Sequence, residues 1–314
     1  MYQVKCHIEL EKFDFKYVCE LQIEKSWKNF TSTASVKFPR KIKDRDKLLQ
    51  DLVKRGDSID ISIGYDDTLI NRFTGYVTSV KPTIPIEITC DDGMFLLKQK
   101  SVAPKSWKTC TVNDVLDYCG ITNYDTLGTI QLGTFQVTPA MSNVVKVLEA
   151  IKDQTRLSVF MRSGKVIIGK QYDKTTANTH TFKFRYNIIE HDLSFKRKDE
   201  IKLKVTAISN KSDGTKIEVK VGDTEGEERT LNYYNLSESQ LKDIATTEID
   251  KLKYDGYRGK FTVFGIPAVE VGDIIDLKDD EYPERAGMFW VDAIEIKAGF
   301  GIGIRQEITL GAKT

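Results

Sequence analysis

The sequence predicts a mainly β (α+β) protein in which two similar small β-barrel domains are separated by an α+β middle domain. Two observations lead to this fold class. The first is an ordered series of matches between the N-terminal and C-terminal parts of the chain. The second is a change in pattern over residues 99–180, where helical spacing replaces the alternation of apolar and polar residues. We therefore predict β-barrel domains over residues 1–98 and 181–314, with the middle domain over residues 99–180.

The ordered matches indicate an internal duplication. Three pairs of positions correspond in order: Gly56 with Gly272, Tyr76 with Trp290, and Glu87 with Glu307. Their offsets are 216, 214 and 220 residues, which is a nearly constant separation. Each copy begins with a Gly-Asp turn, where glycine tolerates a positive φ, and continues as alternating strands. Because three strands cannot bury a core alone, each copy is expected to recruit further strands and close as a small barrel.

The N-terminal domain is expected to begin with strands. The run 17–24 alternates with a period of two, and the run Ala34 to Phe38 ends at Pro39. The charged segment 41–55 carries leucines at helical spacing, which predicts a short helix or a looped excursion before Gly56.

The middle domain is predicted to contain two helices and a hairpin. Thr111 is placed to cap a short helix, and Ser142 is placed to cap a longer helix that ends near Thr155. The hairpin then turns at Ser163-Gly164.

The C-terminal domain is predicted to return to strands. The strands are expected over residues 188–195, 201–209, 216–221 and 259–264, with a turn at Ser212-Asp213-Gly214. A polar and helical excursion is expected near residues 222–255, with its helix over 237–253.

Composition limits the classes of function. The 314 residues include 47 Lys and Arg against 46 Asp and Glu, so no global basic field favours nucleic acid. No apolar run is long enough to span a bilayer, and the N-terminus lacks the apolar stretch of a signal peptide. We therefore expect no membrane insertion, synthesis in the cytoplasm, and free thiols for the five cysteines, which show no CxxC spacing.

A search for catalytic patterns yields no candidate residues. The histidines, His7, His180 and His191, lack metal-binding spacing, and no GxSxG, P-loop or dinucleotide-binding pattern is present. The acidic clusters at 66–67, 91–92 and 279–281 could suggest calcium, but their spacing is more typical of turns. We predict no catalytic residue, no cofactor and no metal site, and hence no enzyme.

The repeated segments resemble a known family. GDSIDISIGY, followed by FTGYVTSVKP and IEITCDDGMFLLK, is similar to the first tube domain of the baseplate hub proteins of contractile tails. That group includes the phage late-control protein D family and the N-terminal half of type VI secretion spike proteins. Residues 141–170 resemble the family's helix and hairpin, and residues 265–311 resemble its second tube domain. The likeness covers most of the chain and consists of pattern and spacing.

This resemblance implies a structural baseplate hub protein in the virion tail of a contractile-tailed phage or prophage, assembled in the bacterial cytoplasm. Two similar domains per chain would make a homotrimer into a ring of six barrels, which adapts a threefold spike to a sixfold tail tube. The implied partners are further copies of the chain, a separate tail spike protein and a tail tube or tube-initiator protein. DNA or a tape-measure protein would pass through the channel.

Two other functions stay open at this stage. A glycan- or receptor-binding β module of a tail tip would need an exposed aromatic platform, whereas Trp27, Trp107 and Trp290 are scattered in the sequence. A tail-associated cell-wall hydrolase would need an activity domain, and the middle domain lacks an evident acid-base pair.

Overall fold

The structure is a computed structural model that describes residues 3–39, 48–66, 68–211, 215–234, 236–299 and 303–314. The mainly β (α+β) class is confirmed. The predicted turn at Ser212-Asp213-Gly214 lies outside the described residues, as do residues 41–47 of the predicted charged excursion and Asp67.

The N-terminal part of the chain forms what we call the N-terminal half-sheet. Its elements are β1 Val4–Leu10, β2 Phe13–Phe15, β3 Glu20–Ser26, β4 Thr33–Phe38, α1 Leu49–Leu52, β5 Ser58–Tyr65, β6 Thr68–Lys81 and β7 Ile86–Asp91. The strands follow the order β3-β4-β7-β6-β5-β1-β2, and every neighbouring pair is antiparallel. Alternation explains the strands, since Ile86, Ile88 and Cys90 are buried while the residues between them are partly exposed.

The middle α+β region has a core of its own. Its elements are α2 Met94–Gln99, β8 Lys105–Thr111, α3 Val112–Tyr118, β9 Tyr124–Thr126, β10 Gln131–Val137, α4 Val144–Thr155, β11 Val159–Arg162 and β12 Lys165–Ile168. The predicted cap of α3 is confirmed, because Thr111 accepts from the N–H of Asp114. The predicted cap of α4 is wrong by one residue: Asn143 accepts from the N–H of Lys146, so Ser142 lies outside the helix.

The C-terminal part of the chain contains a second set of strands. Its elements are β13 Thr179–Lys183, β14 Ile188–Lys196, β15 Leu203–Asn210, β16 Lys216–Gly222, β17 Glu227–Tyr234, α5 Glu238–Leu252, β18 Gly256–Phe264, β19 Ile274–Lys278, β20 Gly287–Gly299 and β21 Gly303–Lys313. Six of these strands, in the order β14-β18-β21-β20-β19-β13, form what we call the C-terminal half-sheet.

The remaining strands, β15 to β17, form a separate three-stranded sheet covered by α5, which we call the insert. The strand predicted at residues 201–209 is present as β15, but it belongs to the insert and not to the C-terminal half-sheet. Strand β15 is central in the insert, antiparallel to β16 and parallel to β17, so both of its edges are paired. The alternation that predicted the strand fits either sheet, and only tertiary pairing separates the two arrangements.

The two half-sheets share one strand order. Replacing β3, β4, β7, β6, β5 and β1 by β14, β18, β21, β20, β19 and β13 reproduces the same path. The Gly-Asp turns also match: the N–H of Gly56 donates to Val77 O at 2.8 Å, and that of Gly272 donates to Val291 O at 2.9 Å. One difference is that β13 pairs parallel to β19, whereas β1 pairs antiparallel to β5.

Strand β20 joins the two half-sheets into one sheet. One of its edges lies along β21, and the other is shared between β19, over residues 287–290, and β3, over residues 293–299. The pairings of the described residues therefore run through both half-sheets as an open path and do not close two separate barrels. Because β20 extends well beyond the short β19, its free portion pairs with β3, and both half-sheets bury one common hydrophobic core.

We expect substitution of the two turn glycines to have unequal effects. Gly56 and Gly272 have φ of +95° and +88°, and Gly128, at +62° with nothing within 4 Å of an added Cβ, is a control for backbone strain alone. Gly56→Ala and Gly128→Ala should each lower the free energy of unfolding by about 1–2 kcal/mol. Gly272→Ala should lower it further, because its Cβ would lie 2.6 Å from the guanidinium of Arg162. Urea denaturation measures all three, and equal losses would contradict the proposed clash.

Candidate functional site

The most constrained polar group of the sheet is Asp292, at the point where β20 changes partner from β19 to β3. Its carboxylate is buried, accepts the indole N–H of Trp27 at 2.8 Å and forms an ion pair with Lys28 at 2.9 Å. The hydroxyl of Tyr172, which follows the middle region, also donates to it. One carboxylate thus connects both half-sheets to the chain that leaves the middle region.

Aromatic rings surround this carboxylate. Tyr172 stacks on Trp290 with centroids 4.8 Å apart and meets Trp27 edge-on at 6.1 Å. Burial raises the pKa of the Tyr172 hydroxyl, and the nearby Asp292 charge raises it further, so Tyr172 stays a neutral donor. Indole and phenol groups satisfy a buried carboxylate in this way without adding net charge.

A second buried polar group, Arg72 of β6, crosses from the N-terminal to the C-terminal half-sheet. Its side chain is 2% exposed, and Nη2 donates to Val269 O at 2.8 Å and to Gln306 Oε1 at 3.0 Å. Its Nε lies 3.4 Å from a carboxylate oxygen of Glu270. Burial lowers the pKa of Arg72, while Glu270 and Asp273 oppose that change, so the cation is retained by its partners.

Gln306 completes this network from β21. It is fully buried, and its amide nitrogen donates to Phe264 O and Pro267 O, each at 2.8 Å. Its amide oxygen accepts from the N–H of Val269 as well as from Arg72. The loop that carries the C-terminal Gly-Asp turn is therefore held on both sides by side-chain hydrogen bonds.

Further ion pairs surround the C-terminal turn. Lys25 of β3 lies 2.7 Å from Glu270, and His180 Nε2 lies 2.9 Å from Asp273. Burial raises the pKa of Asp273, but hydrogen bonds from His180 and from the N–H groups of Glu270 and Asn178 outweigh it, so the pKa lies below its ordinary value. Asp273 is thus a structural anion, and His180, predicted to be an ordinary residue, serves as its partner.

A cleft of about 950 Å³ opens beside this network, between the half-sheets and the middle region. It is lined on different sides by Arg72, Asp92, Arg162 and Asp273. The N–H groups of Ser32 and Met94 donate to Asp92, yet burial dominates and raises its pKa to about 6. Both cations and anions line the cleft, and Arg72, Asp92 and Asp273 already have hydrogen-bond partners within the protein.

Of the residues considered from the sequence, Trp27 and Trp290 both contact Tyr172, whereas His7, His191 and Trp107 lie in other parts of the fold. His7 is grouped with Glu9 and Asp14, whose ligand atoms lie within 4.8 Å of one another, but these side chains are surface exposed or partly so. His191 is exposed on β14, and Trp107 packs against Tyr118 in the middle region. Such exposed acidic groups are common without an ion, and this one carries no argument for a metal.

The cysteines are free thiols, as predicted. Cys90, Cys110 and Cys119 are buried, whereas Cys19 is exposed. Burial raises the pKa of Cys90 to about 12 and that of Cys119 to about 11, which leaves little thiolate near neutral pH.

Asp292 and Arg72 were not predicted from the sequence to be buried polar groups. A signal was present for Asp292, because a single carboxylate in the apolar run MFWVDAI must be paired if the strand is buried. Arg72 begins the segment RFTGYV, where a charged residue at a strand's start is ordinarily exposed. Arg72 is buried because the loop that contains Val269 and Glu270 packs against it.

No family model and no curated protein matches the chain. Several solved structures are similar to the chain in fold. A tail protein from Neisseria meningitidis is 14% identical with a TM-score of 0.68, and the similarity covers 100% of this chain and 97% of that one. The 43 kDa tail protein of prophage MuSo2 from Shewanella oneidensis is 16% identical with a TM-score of 0.68, covering 98% of each chain.

A secretion protein is similar as well. A component of the Escherichia coli type VI secretion system, itself described as structurally similar to bacteriophage T4 tail proteins, is 9% identical with a TM-score of 0.59. The similarity covers 98% of this chain and 77% of that one. At these identities the likeness shows the fold, so the resemblance to phage tail and secretion spike proteins is confirmed at that level.

We expect Arg72→Met to destabilise the protein strongly. The change leaves Gln306 Oε1 and Val269 O with fewer donors in a buried site, and loss of one partner from such a network costs about 3 kcal/mol or more. Lys220→Met, at a largely exposed cation of the insert paired with Glu218, is the matched control and should change stability by less than about 1 kcal/mol. Chemical denaturation compares the two, and similar small losses would contradict the structural role of Arg72.

Asp92 should make stability depend on pH. Its folded pKa of about 6 lies above the ordinary 3.8, so its contribution is fully present below pH 3.8 and is lost as pH rises through about 6. The free energy of unfolding of the wild type relative to Asp92→Asn should therefore fall by about 2–3 kcal/mol between pH 4 and pH 7. Denaturation of both proteins across this range tests it, and a difference independent of pH would refute the assignment.

Proposed function

We propose that the protein is a baseplate hub of a contractile tail, in which a homotrimer adapts a threefold spike to a sixfold tail tube. The observation that carries this proposal is the repeated six-strand order within one chain. Two half-sheets with the same order give each chain two equivalent surfaces, so three chains present six. The similarity of the whole chain to phage tail proteins supports the proposal.

The domain division belongs to the same proposal. Tube domains over residues 1–98 and 181–314, derived by duplication and separated by the middle domain, are supported by the matching turns at Gly56 and Gly272. The sheets of neighbouring chains would complete the barrels that a single chain leaves open. The two ordered half-sheets then lie side by side around a channel, through which DNA or a tape-measure protein would pass.

The proposed partners follow from the position of a hub. They are further copies of this chain, a separate spike protein and a tail tube or tube-initiator protein, in a virion baseplate assembled in the bacterial cytoplasm. The role requires no catalysis, and the polar network around Arg72 and Asp292 suits it, because those groups hold strands in register. No helix of the described residues is long and apolar enough to cross a membrane.

Light scattering should give the oligomeric state directly. With a candidate spike protein present, we expect three chains of this protein per complex. Together they contribute three times 35.7 kDa to the mass of the complex, and the spike protein contributes the rest. Alone, the protein should be a trimer or a weakly associating monomer, because each neighbour adds contact area across all three chains. A strict dimer, or a monomer in both samples, would count against the hub and favour a glycan- or receptor-binding module.

A further inference from the structure

We infer that the free edge of β6, residues 78–81, pairs with β14 of a second copy of this chain in the register that β20 forms with β3. This inference rests on the proposed function and specifies the surface by which the copies meet. The chain already contains one example of the junction, since residues 293–299 of β20 pair antiparallel with β3. The equivalent of β20 in the N-terminal half-sheet is β6, and the equivalent of β3 in the C-terminal half-sheet is β14. Among the described residues, positions 78–81 of β6 and the outer edge of β14 lack such partners.

The register follows from the paired strands. Val80 pairs with Ile88 as Ile294 pairs with Ile308, so Val80 corresponds to Ile294. Lys25 of β3 lies opposite Ile294 of β20. When the register along β3-β4-β7 is compared with the register along β14-β18-β21, Lys25 corresponds to Phe195 of β14. The new junction therefore places Ser79 opposite Lys196, Val80 opposite Phe195, and Lys81 opposite Ser194.

Burial supports a missing partner on β14. In β3, Leu21 and Ile23 are fully buried, since β4 and β20 cover both edges. Their counterparts on β14 are His191, which is exposed, and Leu193, which is only partly buried. The same core-facing positions thus remain open to solvent where the second strand is absent.

The free edge of β6 shows the same contrast. Ile294 is 2% exposed on β20, whereas its counterpart Val80 is only partly buried. Strand β5 begins at Ser58, which lies opposite Tyr76 of β6. Residues 78–81 of β6 therefore have no partner on the edge that faces β5. An uncovered strand edge favours pairing with another strand, and among residues 78–81 the C=O of Lys81 already accepts the N–H of Thr83 at 2.8 Å, which marks the end of the free stretch.

Side chains beyond the strand fit the same arrangement. Antiparallel pairing directs the loop after Lys81 along β14 toward Ile188, where a pocket of about 360 Å³ is lined by Phe184, Ile188, His191 and Tyr257. Ile84 lies in that loop and is 78% exposed. An exposed isoleucine on one edge and an open aromatic pocket beside the other are complementary, and a second copy supplies both.

The charges on the two edges are compatible with this register. The cations Lys81 and Lys196 each lie opposite a serine, so no like charges face each other across the junction. Lys81 is diagonal to Asp192 on one side and to Lys196 on the other, so these two contributions oppose each other and charge adds little to the junction. A shift by one residue would place Val80 opposite Ser194 or Lys196 and turn its side chain to the wrong face.

Cross-linking between one introduced cysteine on each strand tests the register. In a Cys19→Ser background, full-length Ser79→Cys protein is mixed with Lys196→Cys protein under mild oxidation. Residues directly opposite in antiparallel strands have Cα atoms about 4.5–5.5 Å apart, within reach of a disulfide. We expect a covalent two-chain product in the mixture at least tenfold above that from either variant alone. Asp192→Cys in place of Lys196→Cys is the matched control, since it is displaced by about 13 Å along the strand and should not cross-link to Ser79→Cys.

Ile84→Asp provides a second measurement that needs no cysteine. It should weaken self-association, measured by sedimentation, by tenfold or more, because a carboxylate would enter an aromatic pocket. Leu127→Asp, at an exposed leucine of the middle region, should leave association within twofold of the wild type.

The outcomes of these experiments distinguish failure of the β6-β14 junction from failure of the proposed hub function. A trimer that forms without the specific cross-link, and that tolerates Ile84→Asp, would overturn the β6-β14 junction and leave the hub standing. Cross-linking within Lys196→Cys protein alone would indicate a twofold junction between β14 strands and would overturn both. Absence of association and of cross-links at every protein concentration, both without and with a candidate spike protein, would likewise count against both.

Discussion

The structure depends on the division of one edge of β20 between two partners. Strand β19 takes the first part of that edge and β3 takes the second, so the two half-sheets share backbone hydrogen bonds and not merely a surface. This pairing makes their apolar faces one core, in which Ile23 and Ile296 are directly opposed and fully buried. Sliding β3 by one residue would turn each of its core side chains to the opposite face, so the shared edge fixes the relative position of the halves.

Buried polar groups reinforce that position at the places where apolar contacts cannot specify it. Apolar packing tolerates small shifts, whereas Asp292 has only one position in which Trp27, Lys28 and Tyr172 all reach it. Arg72 acts similarly on the loop before the second Gly-Asp turn. Burying these charges is unfavourable in itself, so their effect is better understood as specificity than as stability.

The sequence predicted those features that local patterns encode. Alternation and turn residues predicted most strands, and the Thr111 cap was visible because capping involves residues only three apart. The division of β20 was not predictable, because nothing in GMFWVDAIEIKAG indicates which of its residues meet β19 and which meet β3. The network of Arg72 was hidden for the same reason, since its partners Val269 and Gln306 lie far along the chain. Strand β15 shows the limit of alternation, which identifies a strand but does not assign it to a sheet.

The insert leaves and re-enters the sheet at neighbouring positions. Lys196 at the end of β14 pairs with Gly256 at the start of β18, so everything between them occupies the place of a hairpin loop. The insert has its own small core around Val205, Leu241 and Ala245, and the sheet would keep its register with a short turn in its place. Changes in the length or sequence of the insert are therefore expected to leave the pairing of β14 with β18, and with it the register of the half-sheet, unchanged.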